Sequence, residues 1–252
     1  MALAGRHAFV TGGGRGIGRA VAAALAGAGV AVTVIGRGEA ALREVVAVGE
    51  AAGYGVADVT DAAALGRELT AAAAARGPIA ILVNNAGSVA SGPFTAADPA
   101  VFRAMWEVHL MGAVHATQAV LPGMIERGFG RVVNVASTAG LKGYPYVAAY
   151  CAAKHALVGL TRALAVETAA CGVTVNAVCP GYTDTELVRA SVARVADKTG
   201  RARAEVLAEY ERGAPIGRLI EPREVAAAVL YLCSAEAAAV TGTTLAVAGG
   251  EL

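Results

Sequence analysis

The sequence predicts a parallel, doubly wound α/β sheet of seven strands with helices on both faces, folded as a single domain from all 252 residues. Three observations carry that expectation. Short β-like apolar runs alternate with alanine-rich segments of helical length almost from end to end, and each parallel crossover needs a covering helix. The composition is 56% hydrophobic and only 16% charged, which suits strands buried on both faces. The length suits one large domain with a sizeable core, and nothing resembles a linker or a repeat.

The strands are predicted at 7–11 ("HAFVT"), 31–36 ("AVTVIG"), 54–58 ("YGVAD"), 79–85 ("IAILVNN"), 131–137 ("RVVNVAS"), 173–180 ("VTVNAVCP") and 244–249 ("TLAVAG"). Helices are predicted near 16–28, 39–51, 61–75, 99–127, 150–171 and 223–235. One segment breaks the rhythm: 184–221 is polar and charged, and reads as a surface excursion or a lid over the cleft. The apolar window 108–125 contains His109, His115, Gln118 and Pro122, so it reads as buried helix and not as a membrane span. Arg6 and His7 precede any long apolar run, unlike a secretion signal, and the protein is expected in the cytoplasm. A net charge of +1 without like-charge runs gives no reason to expect nucleic acid or an anionic membrane as partner. Cys151, Cys171, Cys179 and Cys233 lack metal-ligand spacing, so no metal is predicted and they read as packing residues.

"VTGGGRGIGRA" follows the first strand and opens the first helix, with Gly12, Gly16 and Gly18 spaced G-x-x-x-G-x-G around Ile17. Missing side chains let the backbone turn tightly and approach a pyrophosphate at a helix N-terminus, where free N–H groups and the helix dipole favour an anion. Such a loop is weak evidence alone; the strand before it and the helix after it strengthen it to a Rossmann-type reading. The second strand ends in Gly36 and Arg37, where a carboxylate would select NAD by bonding the adenosine ribose. Arg37, with Arg15 on the same side, suits a 2′-phosphate and favours NADP(H); two solvated arginines are the alternative.

With these motifs in order, "TGGGRGIG" at 11–18, "ADV" at 57–59, "NNAG" at 84–87, "NVAS" at 134–137, "YCAAK" at 150–154 and "PGYTDT" at 180–185, the chain resembles the short-chain dehydrogenase/reductase family over essentially its whole length. It looks most like the branch of β-ketoacyl and polyketide ketoreductases and hydroxyacyl dehydrogenases. The resemblance implies that Asp58 bonds the adenine amino group with Val59 beside the ring, that Asn85 lines the cofactor cleft, and that the Thr183 backbone and the Thr185 side chain hold the nicotinamide carboxamide. It also implies a homotetramer. A strand-end cap at Asp58 and loop satisfaction by Asn84 and Asn85 are the plainer alternatives.

Tyr150 stands one helical turn before Lys154. A ketone taking up hydride leaves an alkoxide that needs a proton donor, and a free tyrosine, with a pKa of about 10, holds its proton too tightly. A nearby ammonium is expected to pull that value down, with help from a nearby nicotinamide ring in its oxidised, positive state. By resemblance Lys154 also bonds the nicotinamide ribose, and Ser137 orients the substrate oxygen against Tyr150. Ser137 is no hydrolase nucleophile, since the chain has no G-x-S-x-G elbow. Tyr144 and Tyr146 read as cleft wall or packing. One position departs from the family: His109 stands where an asparagine usually anchors a relay water, and it is either a satisfied core histidine or a participant in proton relay. The reading is an NADP(H)-dependent enzyme interconverting a small-molecule ketone and a secondary alcohol, with a 3-oxoacyl thioester or an aromatic, polyketide-like ketone suggested by resemblance. An NAD-dependent secondary-alcohol dehydrogenase and a non-catalytic nucleotide-binding protein are the rivals.

Overall fold

A computed structural model of the chain describes residues 3–252. Its seven strands are β1 (His7–Thr11), β2 (Ala31–Gly36), β3 (Gly53–Val56), β4 (Ile79–Asn84), β5 (Gly130–Val135), β6 (Val173–Pro180) and β7 (Thr244–Val247). They form one sheet in the order β3-β2-β1-β4-β5-β6-β7, and every pairing is parallel. The order reverses between β1 and β4, and that switch point opens a crevice at the carboxyl ends of the strands. The predicted strands stand where the sequence placed them, within about two residues.

Helices α1 (Gly16–Gly27), α2 (Glu39–Ala47) and α3 (Ala62–Arg76) fill the crossovers of the first half. Asp61 caps α3 by accepting from the Ala64 N–H at 2.9 Å. One face of the sheet is covered by α1 and the late helix α9 (Pro222–Cys233), whose Val21, Leu25, Val225, Val229 and Leu232 share a core with Val10, Val34 and Val133. The other face packs Leu65 and Leu69 of α3 against Phe9, Ile35, Leu82, Val120 and Met124. Nearly all of these side chains are excluded from water, at about 25 cal/mol per Å² of apolar surface removed, so the sheet is a rigid platform for its loops.

Two expectations need correction. The predicted helix 99–127 is not continuous: α4 (Pro99–Trp106) and α5 (Gly112–Glu126) flank a π-helical turn over Glu107–Met111. The apolar pattern runs through all three pieces, which is why periodicity alone joined them. Segment 184–221 is also more ordered than an irregular excursion, holding α7 (Glu186–Thr199) and α8 (Arg203–Arg212) joined by a left-handed Gly200. Val192, Ala196 and Val206 make a small core of their own there, supported by Arg201–Glu209 and Arg189–Asp184 ion pairs on the outside. Helix α6 spans Ala148–Thr168 and is followed by a 3-10 turn at Ala169–Cys171.

Candidate active site

The loop from β1 to α1 turns through Gly12 at φ 65° and Gly16 at φ 53°, a region L side chains avoid. Gly18 sits in the first turn of α1, where a Cβ would stand 2.3 Å from the Gly12 carbonyl oxygen and 2.5 Å from Asn85 Nδ2. Asn85 closes this cradle from the end of β4. Its Nδ2 donates to the carbonyls of Thr11 (2.9 Å) and Gly12 (3.2 Å), and its N–H donates to Thr11 Oγ1 at 2.9 Å. Across the crevice Thr185 caps α7 by accepting from the Val188 N–H, and its methyl would lie 3.1 Å from a Cβ at Gly16. Thr183 is buried and donates to the Gly181 carbonyl at 3.0 Å. Arg15 is exposed at the N-cap of α1, while Ile17 packs onto the core behind the loop.

At the rim, Arg37 is 75% exposed and its guanidinium lies 3.6 Å from one Asp58 oxygen. The other Asp58 oxygen accepts from the Thr60 N–H (3.0 Å) and hydroxyl (2.9 Å), and the backbone bond does most to hold the carboxyl below its usual range. An exposed pair of this kind is weak, so Arg37 stays available to an incoming anion. Val59 turns its side chain into the core, against Gly112, where a Cβ would come within 2.8 Å. The close glycine approach, the exposed arginines at one end and the hydroxyls at the other fit a nicotinamide dinucleotide held at the switch point.

The three predicted catalytic side chains converge beyond the end of β5. Ser137 is extended and accepts the Ala139 N–H on its Oγ at 3.1 Å, capping a short turn over Thr138–Gly140. Gly140 lets α6 come close, since a Cβ there would be 2.8 Å from the Lys154 carbonyl. Tyr150 and Lys154 lie one turn apart on α6, and the Ser137 hydroxyl is near enough to Tyr150 to favour its ionised form. Lys154 Nζ donates to the Val135 carbonyl at 2.7 Å and lies 5.7 Å from the centre of the Tyr150 ring.

Burial pushes the Tyr150 hydroxyl up to about 12, opposed by the Ser137 hydroxyl beside it, and pulls Lys154 down to about 7. Desolvation dominates both groups, so in the protein alone the lowering expected from Lys154 does not offset burial. Cys179, treated as packing, lies beside them; burial raises its thiol to about 11, countered by the Ser137 backbone and Lys154.

His109 occupies the π-helical turn and is 3% exposed. Its ring meets Tyr150 edge to face, centroids 5.2 Å apart, and Nε2 donates to the Ser88 carbonyl at 2.7 Å. That bond fixes the tautomer and leaves Nδ1 as a buried acceptor without a partner. Burial, with Lys154 close by, lowers the imidazole to about 3, so the ring is neutral throughout the physiological range. His109 is therefore part of the site, although its hydrogen bonds only partly satisfy it.

Sequence reasoning missed a polar ladder beneath the site. Asn84 donates to Asn134 at 2.9 Å and to Thr117 at 3.2 Å, and Asn134 donates to Thr161 at 2.9 Å, tying β4 and β5 to α5 and α6. Buried amides on facing strands at matched register, Asn84 against Asn134, were a readable signal. It also missed Glu251, whose side chain is 4% exposed and bonds Tyr144 and Lys142.

A doubly wound sheet with a glycine cradle at its switch point and a Ser–Tyr–Lys cluster at the next strand end defines a dinucleotide-dependent oxidoreductase. The chain belongs to the short chain dehydrogenase family, whose profile matches residues 6–196. It is 39% identical to a putative ketoacyl reductase of Streptomyces coelicolor over 96% of this chain and 95% of that protein. It is 40% identical to an acetoacetyl-CoA reductase of Shinella zoogloeoides over 98% of each. Among solved structures, an actinorhodin polyketide ketoreductase variant with NADPH superposes with a TM-score of 0.94, at 37% identity over 98% of this chain and 97% of that one.

Proposed function

We propose that this protein is an NADP(H)-dependent ketoreductase, interconverting a ketone and a secondary alcohol, with a 3-oxoacyl thioester or a polyketide-like ketone as its substrate class. The observation that carries the reading is the convergence of Ser137, Tyr150 and Lys154 opposite the glycine cradle. The cofactor supplies hydride when bound. Ser137 holds the carbonyl oxygen, Tyr150 gives it a proton, and the Lys154 ammonium supports the phenolate that forms. Burial raises the phenol to about 12, and an oxidised nicotinamide held in the cleft would add to Lys154 a positive charge that favours the phenolate.

Gly12, Gly16 and Gly18 would take the pyrophosphate, Asn85 would line the crevice, Asp58 would bond the adenine with only the Val59 backbone beside the ring, and Thr183 and Thr185 would hold the carboxamide. Arg37 and Arg15 would pair with the 2′-phosphate, and the NADPH-bound structural relative supports that choice. We read the protein as a cytoplasmic homotetramer; light scattering after gel filtration checks the assembly. A ketone panel followed by nicotinamide absorbance tests the activity. NADPH is expected to outperform NADH in kcat/KM, with Arg37→Ala eroding the preference about tenfold or more through loss of a charge-assisted contact. A wild-type preference for NADH rejects the cofactor assignment.

A further inference from the structure

The penultimate residue of the chain is built into the substrate side of the site. After β7 the backbone passes through Gly249 (φ 59°) and Gly250 (φ 87°), two left-handed positions that fold it back towards β6. The pass is tight: a Cβ at Gly249 would stand 2.3 Å from Ile216 Cγ2, and one at Gly181 would stand 2.9 Å from Glu251 Oε2. The Ile216 N–H donates to the Gly249 carbonyl at 3.0 Å, so the tail is held by the segment that leads out of α8. What this geometry delivers is a carboxylate, with 4% of its side chain exposed, beneath the cleft wall.

That carboxylate is bonded to groups next to the catalytic serine. Glu251 Oε1 accepts a short hydrogen bond from the Tyr144 hydroxyl and lies 3.3 Å from Lys142 Nζ, which also donates to the Glu251 carbonyl at 3.1 Å. The Tyr144 oxygen is 2.7 Å from Thr138 Oγ1. A phenol has one hydrogen, and the carboxylate is the stronger acceptor, so the Thr138 hydroxyl is the donor in that second bond. The result is a directed chain, Thr138 to Tyr144 to Glu251, starting one residue after Ser137. The Tyr144 ring then meets Tyr182 edge to face at 6.3 Å, and Tyr182 stacks on Tyr210 of α8 at 4.3 Å. Glu251 thus ties the serine turn to the α7–α8 excursion through three tyrosine rings.

We propose that Glu251 is a positioning residue for substrate selection: by clamping Tyr144 and Lys142 it fixes an aromatic wall between the Ser137 turn and α8, and favours flat, bulky ketones over small ones. Because the carboxylate takes up the Tyr144 hydrogen, Tyr144 presents its ring and not a free donor to the substrate. Glu251 Oε2 has no hydrogen-bond partner among the described residues and is wedged against Gly181, so the carboxylate acts on the substrate through the tyrosine and the lysine.

This role rests on the ketoreductase reading, and two measurements separate the two. The first compares kcat/KM for 1-tetralone and for ethyl acetoacetate with NADPH in wild type, Glu251→Ala, Glu251→Gln and Tyr144→Phe. Glu251→Ala and Tyr144→Phe are expected to lower the tetralone-to-acetoacetate ratio about tenfold or more, mainly through KM, the order lost when a charge-assisted bond that orients a wall is removed. Glu251→Gln keeps an acceptor for Tyr144 and should recover part of the ratio, while the dissociation constant for NADPH stays put. The second needs no turnover: amide hydrogen exchange over residues 138–147 and 204–213 should quicken in Glu251→Ala, because both ends of the tyrosine chain lose their anchor. Unchanged exchange in both segments, or a wild-type substrate ratio in Glu251→Ala, overturns the positioning role. Wild-type inactivity on every ketone, with quickened exchange in the variant, would reject the ketoreductase reading and leave the clamp standing.

Discussion

Strand β5 carries a buried cation at each end, and the two have different chemistry. At its carboxyl end Lys154, 4% exposed, donates to the Val135 carbonyl at 2.7 Å; at its amino end Arg131, 5% exposed, donates to the Gly130 carbonyl at 2.8 Å and lies 4.4 Å over the Phe129 ring. Burial is the largest influence on the charge of each. Desolvation lowers both pKa values, but only the lysine reaches about 7; the guanidinium starts so far up that it keeps its charge. Equal burial therefore makes a titratable group of one and a permanent charge of the other. A hollow of about 470 Å³ lies at the Arg131 end, lined by Phe129, Gly172 and Thr174, and its lining does not include Ser137, Tyr150 or Lys154.

Activity should break the symmetry most sharply. Tyr150→Phe and Lys154→Met are each expected to lower kcat/KM by about 10³-fold, within the usual range for losing a positioned proton donor or its support. Arg131→Met, at the far end, should stay within about threefold of wild type once folded enzyme is counted. A hundredfold loss in Arg131→Met would show that the two ends are coupled.

Stability sharpens the contrast next. Lys154 falls from an ordinary value of 10.5 to about 7 on folding, so the native state disfavours its proton. Its contribution is complete above about 10.5 and is lost as pH drops through about 7. Lys154→Met should therefore gain on wild type as pH falls across that window and hold a constant lead below it. The lead is on the order of a few kcal/mol, less whatever native relaxation recovers. Thermal melts at pH 6 and pH 10 read the difference. For Arg131→Met the offset from wild type should be the same at both pH values.

The smallest effect concerns the neighbour they do not share. His109 is neutral because burial and Lys154 hold it at about 3, so the pH profile of kcat should show no limb from it between about pH 5 and 8. His109→Asn should lower kcat only about three- to tenfold through loss of the ring contact with Tyr150, with the shape of the profile retained. A limb near 6 that vanishes in the variant would mean that His109 titrates during turnover.

The strands and the glycine loop were legible because their signals are local: a run of β-branched residues, or five glycines in eight positions, means the same thing wherever it occurs. Ser137, Tyr150 and Lys154 were legible because two share a helix turn and the third ends a strand. Glu251 was not, because its importance depends on a fold-back after β7 that brings it to Tyr144, 107 residues earlier. The strength of burial at Tyr150 was hidden for a related reason: spacing gives proximity to Lys154, but only the packed structure shows how fully both groups are withdrawn from water. The π-helical turn escaped notice because an extra backbone residue leaves the hydrophobic pattern nearly intact.

That extra residue sets a rotational phase. Each residue of a helix advances the side chains by about 100°, so the insertion at Glu107–Met111 decides which faces of α4 and α5 point the same way. Deleting one residue there would restore an unbroken helix and swing Phe102 and Met105 away from Ala149 and Ala153, the small residues that receive them from α6. A single-codon deletion at this turn would then leave every catalytic side chain in the sequence while turning the helix that supports them out of register.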